Sequence, residues 1–271
     1  MKTFLRSLFV AVSVSTLLQV SSFASIQVTS GLIRTKTVQP GETFDGTVVI
    51  RNTDARPAQV RIRQSDYQSF ADGRNIYADP GSTPHSNANW ISIAPSQLTV
   101  GGNEAVTVNY KARVPLDAKL AGTYWSLLLV EPVAPPAPEA KGAQGEVAVG
   151  LQTVIRFGVQ IITEIGVTGT HTMKIGDKAL LHEDGRRSLK LDFQNTGERD
   201  MIPSVGVELY GQDGVLFGKF EGGRKRIYPG GSARYRVDLT NVPRGKYVAM
   251  VIADTGDINV MGAQYELEIA D

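Results

Sequence analysis

An all-β chain of two β-sandwich domains in tandem is the fold this sequence predicts, on three observations. Short alternating segments rich in β-branched and aromatic residues recur along the chain, bounded by Gly, Pro, Asn and Asp. No long segment repeats its apolar residues with the 3.6 period of a helix. The two halves also carry the same signals in the same order. About seven short strands per ~100 residues fit an immunoglobulin-like sandwich.

The first element is not part of either sandwich. In "MKTFLRSLFVAVSVSTLLQVSSFAS", Lys2 and Arg6 precede an apolar stretch from Leu8 to Val20. Ser22-Phe23-Ala24 then places small residues at −3 and −1 of a cleavage point before Ser25. Residues 1–24 therefore read as a cleaved secretory signal peptide. A membrane anchor fits less well, because Ser13, Ser15 and Thr16 interrupt a short run. Cleavage leaves about 247 residues, enough for two domains of ordinary size. No later segment is apolar enough to span a bilayer, so the mature protein is expected to be exported and soluble, whether in the periplasm, at the cell surface or in the medium. Cysteine is absent, which excludes disulfide stapling and lipid attachment. A net charge of +1 gives no footprint for nucleic acid.

Residues 25–164 form the first predicted domain. Its strands include "GTVVIRN", "AQVRIRQ", "AVTVNYKARV" and "YWSLLLVEP", and "VPLDAKLAG" is compatible with one turn of helix. The Pro/Ala/Gly-rich stretch 132–146, "PVAPPAPEAKGAQGE", reads as a flexible loop. It leads into "VAVGLQTVIRFGVQII" (147–162), where Val147, Val149, Leu151, Ile155, Phe157, Val159 and Ile161 alternate with other residues. At ~3.3 Å per residue this strand would run to about 50 Å, against a usual ~17–20 Å. Ile155, Phe157, Val159 and Ile161 are expected in the core, and Glu164 to Thr168 at the interdomain joint.

Residues 165–271 form the second predicted domain, with strands such as "SLKLDFQN", "ARYRVDLTNV" and "YVAMVIAD". It repeats the order of the first. Asn52-Thr53 and Asn195-Thr196 each follow an alternating strand; a Gly-Gly turn, a strand, Val-Pro, Gly-x-Tyr and an apolar strand come next. That order predicts two copies of one unit.

Catalytic chemistry is not visible, and the chain reads as a non-enzyme. Asp254-Thr255-Gly256 ends an apolar strand, as the carboxylates of aspartic proteases do, but it occurs once and only 15 residues follow it. A turn between strands explains it better. His85, His171 and His182 lack ligand spacing, and no EF-hand, P-loop or Gly-x-Ser-x-Gly pattern occurs. No metal or cofactor is implied. Arg224-Lys225-Arg226 reads as protection of a strand edge.

The long strand is the informative feature, since an open sheet edge with alternate apolar side chains is a template for another chain. Here the first half resembles the periplasmic chaperones of chaperone–usher pilus assembly, the PapD-like family. "LIRTKTVQPG" (32–41), "WISIAPSQLTVGGNEAVTVNY" (90–110), "TYWSLLLVEPVAPP" and, best, "VAVGLQTVIRF" (147–157) carry the likeness. The resemblance implies a chaperone that lends an edge strand to pilus or surface-fibre subunits and delivers them to an outer-membrane usher. It places the donor side chains on Val147, Val149 and Leu151. It places the basic pair that anchors a client's terminal carboxylate in the interdomain cleft on Lys36 and Arg156. Self-association through the donor strand is a further expectation. The alternative is an exported structural or adhesive protein of two immunoglobulin-like modules, without chaperone activity. The second half, with "IYPGGSARYRVDL", departs from the family pattern, and "LDAKLAG" replaces its acidic-basic-acidic segment.

Overall fold

The computed structural model describes residues 26–133, 154–256 and 260–270. The predicted signal peptide, most of the 132–146 loop, and Val147, Val149 and Leu151 lie outside the described residues.

The first sandwich contains β1 (Ile26–Val28), β2 (Ile33–Val38), β3 (Thr43–Asn52), β4 (Ala58–Ser69), β5 (Asn75–Ala78), β6 (Ile91–Ala94), β7 (Gln97–Val100), β8 (Ala105–Arg113), β9 (Gly122–Pro132) and β10 (Phe157–Ile165). One sheet runs β1-β3-β8-β6; the other runs β2-β10-β9-β4-β5, with β7 also on β4. The second sandwich contains β11 (Met173–Glu183), β12 (Arg186–Asn195), β13 (Ser204–Tyr210), β14 (Leu216–Arg224), β15 (Ser232–Asp238), β16 (Gly245–Asp254) and β17 (Val260–Ile269). Its sheets are β11-β12-β15 and β14-β13-β16-β17. The predicted all-β, two-sandwich class is what the chain adopts. The expected turn of helix in "VPLDAKLAG" is instead a loop closed by the Leu120 N–H on the Asp117 carbonyl (3.1 Å). Among the described residues the helical turn lies elsewhere, at Ala88–Trp90.

Alternation builds both cores. Val48, Ile50, Val60, Val108, Leu128 and Val130 fill the first; Leu191, Phe193, Val207, Leu209, Tyr235 and Val251 fill the second. Val159 and Ile161 of β10 are fully buried and Phe157 packs against the same core. Ile155 does not: it is 66% exposed, which corrects the sequence expectation. The β10–β9 ladder ends at Phe157↔Val130, and the next position in that face of β9 is Pro132, which has no N–H to donate. Ile155 thus lies past the covered end of the sandwich.

The internal repeat has a physical counterpart. Asn52 and Asn195 are both fully buried at the end of an equivalent strand. The Asn52 Nδ2 donates to the carbonyls of Arg56 (2.7 Å) and Val100 (3.2 Å), while its Oδ1 accepts the Asp54 N–H (3.0 Å). The Asn195 Nδ2 donates to Arg199 (2.7 Å) and Ile227 (2.9 Å), and its Oδ1 accepts the Gly197 N–H (2.8 Å). In each copy the side chain bonds residue i+4, residue i+2 and the strand end before the Gly-Gly turn. Only an amide offers both donor and acceptor in this place.

The two sandwiches meet through a packed joint. Tyr228 stacks on Trp125 (centroids 4.4 Å, 11° between planes), and its hydroxyl donates to the Gln160 Oε1 (2.5 Å). Burial pushes the Tyr228 hydroxyl well above the usual tyrosine range. The Trp125 indole N–H donates to the Tyr67 carbonyl (2.6 Å). The Thr123 N–H donates to the Glu198 carbonyl (2.8 Å), and its hydroxyl donates to the buried Asp200 carboxylate (3.0 Å), which also pairs with Arg226. Arg226 is therefore an interdomain-side ion-pair partner rather than a strand-edge guard. Arg199 donates to the Gly166 (3.1 Å) and Thr168 (3.0 Å) carbonyls, bracing the connection between the sandwiches.

Candidate functional site

β10 is the element on which the site is built. On one side it pairs antiparallel with β9 along its whole length, from Phe157↔Val130 to Ile165↔Gly122. On the other side it pairs parallel with β2, but only from Gln160↔Ile33 to Ile165↔Val38. The Gln160 N–H reaches the Leu32 carbonyl (2.8 Å), and there the ladder starts. Among the described residues, Phe157 to Val159 have no strand on that side. Exposed aliphatic side chains flank this open stretch: Leu32 and Ile33 on β2's approach, Val154 and Ile155 before β10. Unpaired backbone groups beside apolar surface are what an added strand needs.

Strand alternation decides which side chains share a face. Val159, Ile161 and Thr163 point into the sandwich, where the buried Asn87 Nδ2 donates to Thr163 Oγ1 (2.9 Å) and the Ile161 carbonyl (3.0 Å). Gln160, Ile162 and Glu164 point the other way, toward Tyr228 and Arg199 of the second sandwich. Arg156 has the parity of this outer face.

The two predicted anchor residues are not brought together. Lys36 stands beside Thr163 in the β2–β10 register. Thr163 lies seven residues beyond Arg156, roughly 23 Å along a strand at ~3.3 Å per residue, and on the opposite face. Lys36 is exposed near the interdomain end of β2, while Arg156 lies at the end of β10 away from the joint. One carboxylate cannot bridge both.

Arg156 has a different partner. Its Nε pairs with Glu131 Oε1 (2.6 Å), and Arg63 of β4 takes the same carboxylate through Nε on Oε2 (3.1 Å) and a terminal nitrogen on Oε1 (2.6 Å). Glu131 is largely covered, with 12% of its side chain exposed, while Arg63 and Arg156 are about half exposed. Hydrogen bonding to Glu131 raises the Arg63 guanidinium above its usual value. The two arginines line an open groove of about 540 Å³ with Tyr77, Asp79, Leu129, Ser65 and Pro80. The sequence holds Arg63 in "VRIRQ" and Glu131 in "LLLVEP", but only the pairing Arg63↔Leu129 in the β4–β9 register makes them neighbours.

The residues weighed for catalysis have structural surroundings. Asp254 accepts the N–H of Gly256 (2.8 Å), the side-chain bond of a tight turn. His85 stacks near Trp125 (5.9 Å), and its Nδ1 lies 3.0 Å from the Thr123 carbonyl. Asp66, fully buried, accepts N–H groups of Gly81 (3.1 Å) and Thr83 (2.8 Å) and hydroxyls of Thr83 (2.9 Å) and Ser86 (2.5 Å). It ties the loop after β5 onto the sheet. Among the described residues, no three metal-ligating side chains cluster, and no helix is long and apolar enough to cross a membrane.

No protein-family model matches the sequence, and no curated protein matches it. Solved structures do. The chain is similar to a structure described as a chaperone–tip adhesin complex in biogenesis of CFA/I fimbriae, at 10% identity and TM-score 0.48, covering 90% of this chain and 98% of that one. It is similar to the class 5 fimbriae chaperone CfaA at 10% identity and TM-score 0.47, covering 91% and 100%. It is also similar to a structure of Salmonella enterica SafA pilin with the SafB chaperone, at 12% identity and TM-score 0.42, covering 92% and 98%.

Proposed function

We propose that the protein is a periplasmic chaperone that holds pilus or surface-fibre subunits by lending them an edge strand. The observation that carries this reading is the half-open edge of β10. Its interdomain half is closed by β2, whereas among the described residues Phe157 to Val159 are paired on one side only and flanked by exposed Leu32, Ile33 and Ile155. The sequence before this stretch continues the alternation through Leu151, Val149 and Val147, the proposed donor side chains. Backbone pairing would supply affinity and the alternate side chains register, with no metal, nucleotide or covalent step. Resemblance of residues 147–157 to the PapD-like strand adds the client class and delivery to an outer-membrane usher. The signal-like N-terminus agrees with a periplasmic location. Donor residues as small as valine fill a client's pockets less fully than leucine, by up to ~0.8 kcal/mol per missing methylene.

The test is co-expression with a fibre subunit that lacks its own last strand, followed by purification from periplasm. A soluble one-to-one complex that Leu151→Glu abolishes, with the chaperone still folded, is the expected result. A complex indifferent to that substitution refutes strand lending, and recovery of the protein in fibres or in the medium supports the adhesive alternative.

A further inference from the structure

Among the described residues, β17 ends the four-stranded sheet of the second sandwich, paired with β16 on one side and with no strand on the other. Its ladder is regular throughout, from Asp254↔Val260 to Gly245↔Ile269. Two other edges of this sandwich are irregular: β11 shifts register between Ile175 and Lys178, and β14 shifts twice against β13. Irregularities of that kind deter an added strand, and β17 has none. Its inner face is also only half covered. Tyr247, Ala249, Val251 and Ala253 of β16 are buried, whereas their register partners Leu267, Tyr265, Ala263 and Met261 are half-buried. A further strand beside β17 would complete their cover.

The order of residues makes this edge complementary to itself. Two copies paired antiparallel about a two-fold axis centred on Gln264 align Val260 to Glu268 of one with Glu268 to Val260 of the other. On the exposed face, Glu266 then meets Gly262 and Glu268 meets Val260, so no two carboxylates oppose each other. On the inner face, Tyr265 meets Ala263 and Leu267 meets Met261, a ring beside a methyl group and two flexible aliphatics together. Gln264 meets its own copy, and an amide can both donate to and accept from another amide. Moving the centre to Glu266 or Leu267 would set glutamates against one another, which destabilises a strand pair. Gly262 fits the same picture. A Cβ there would find only the Val251 carbonyl, at 4.0 Å, so the backbone does not demand glycine. A bare position inside a regular strand is where another chain can approach closely.

We propose that the protein forms a two-fold dimer in which two β17 strands pair antiparallel about Gln264 and join their sheets into one. The occupant of the edge is a second copy of this chain, because the acidic half of β17 needs an uncharged half opposite it and its own first half supplies one. Self-association then resides in the second sandwich and uses no part of β10.

Sedimentation of the full mature protein should show a dimer at about 100 μM that dissociates on dilution. Gly262→Glu creates two symmetry-related pairs of opposed glutamates and should weaken the dimer about tenfold; Gly262→Lys should strengthen it by about the same factor. Both side chains have room at this exposed position. Adding Glu266→Lys to Gly262→Glu should restore association. The chain contains no cysteine, so Gln264→Cys supplies a single thiol at the axis, and oxidation should link two copies. Val260→Cys should not link, because its copy lies at the far end of the pair, about 26 Å away. A monomer at about 100 μM, a dimer indifferent to both Gly262 substitutions, or linkage through Val260→Cys overturns the pairing. Subunit capture lost in Gly262→Glu, with no dimer in the parent protein, overturns it as well and makes β17 a surface for another protein. Leu151→Glu should leave the dimer intact, so failure of the dimer and failure of strand lending are read separately.

Discussion

Replacing Asn195 by alanine is expected to destabilise the second sandwich by about 3 kcal/mol, and the structure shows where that figure arises. Three hydrogen bonds disappear: two donated by Nδ2 to the Arg199 and Ile227 carbonyls, one accepted by Oδ1 from Gly197. They are not equivalent. The Ile227 carbonyl keeps the Met201 N–H (3.1 Å), and the Gly197 N–H keeps the Thr172 carbonyl (3.0 Å). Each of those losses costs about 0.5–1.5 kcal/mol. The Arg199 carbonyl, at a part-buried site, loses its side-chain donor, at about 1–3 kcal/mol. For a sandwich of ~100 residues, 3 kcal/mol lowers Tm by roughly 12–24 °C. Calorimetry of the full mature protein, with hydrogen exchange to assign the transition to β11–β17, measures it. Asn195→Asp separates donor from acceptor: it retains the bond to Gly197 but sets a carboxylate against two carbonyls, so it should be at least as damaging as alanine. A loss below about 0.5 kcal/mol for Asn195→Ala, or full tolerance of aspartate, would refute the plug.

Three further outcomes follow from the joint and the loops. Tyr228→Ala removes the stack on Trp125 and the bond to Gln160; Trp125 emission should shift and the radius of gyration by X-ray scattering should rise, while Tyr228→Phe keeps most of the packing and alters neither strongly. Burial raises the hydroxyls of Tyr228 and Tyr235, the latter to about 12. The unfolded chain then loses these protons first, so their contribution is complete below about pH 10 and declines above it; urea midpoints should hold up to about pH 10 on this account and fall between pH 10 and about pH 12, less so in Tyr228→Phe. Asp66→Ala strips the acceptor from two backbone N–H groups and three hydroxyls, and should cost about 3–5 kcal/mol by urea unfolding; unchanged protection of the Gly81 and Thr83 amides would contradict that role.

Much of the architecture was legible because its signals are local. Alternation marked β3, β8, β12, β15 and β16, since a strand half-buried in a sandwich must alternate to bury one face, while a continuous apolar run marked β9. The Asn-Thr and Gly-Gly punctuation marked the repeat, although the reason for the asparagines, a buried amide serving three backbone groups, needed their neighbours. Ile155 shows where pattern fails. Its alternation is indistinguishable from that of Phe157 and Val159, yet it lies beyond the point where β9 can continue the ladder, and so it is exposed. The same holds for the arginines. Arg156 was visible as a base near the long strand, but its partner depends on register, and a shift of seven residues along β10 separates Lys36 from it altogether.

What the sequence determined by itself was the class of object: an exported-looking, cysteine-free chain of two alternating-strand units, with one alternating apolar run, residues 147–162, of which β10 takes up only the part from Phe157 among the described residues. Composition and short-range periodicity suffice for that, because they state which residues have to leave water. What only the tertiary structure decided was the pairing. Parallel addition of β2 covers β10 from Gln160 onward and, among the described residues, leaves Phe157 to Val159 open; antiparallel register sets Arg63 and Arg156 on one carboxylate; Tyr228 crosses from one sandwich to stack on the other. These facts join residues that lie far apart in the chain, up to 127 positions for Ile33 and Gln160. Their proximity is fixed by ladder register and side-chain parity, quantities that a one-residue slip would invert and that no local pattern encodes.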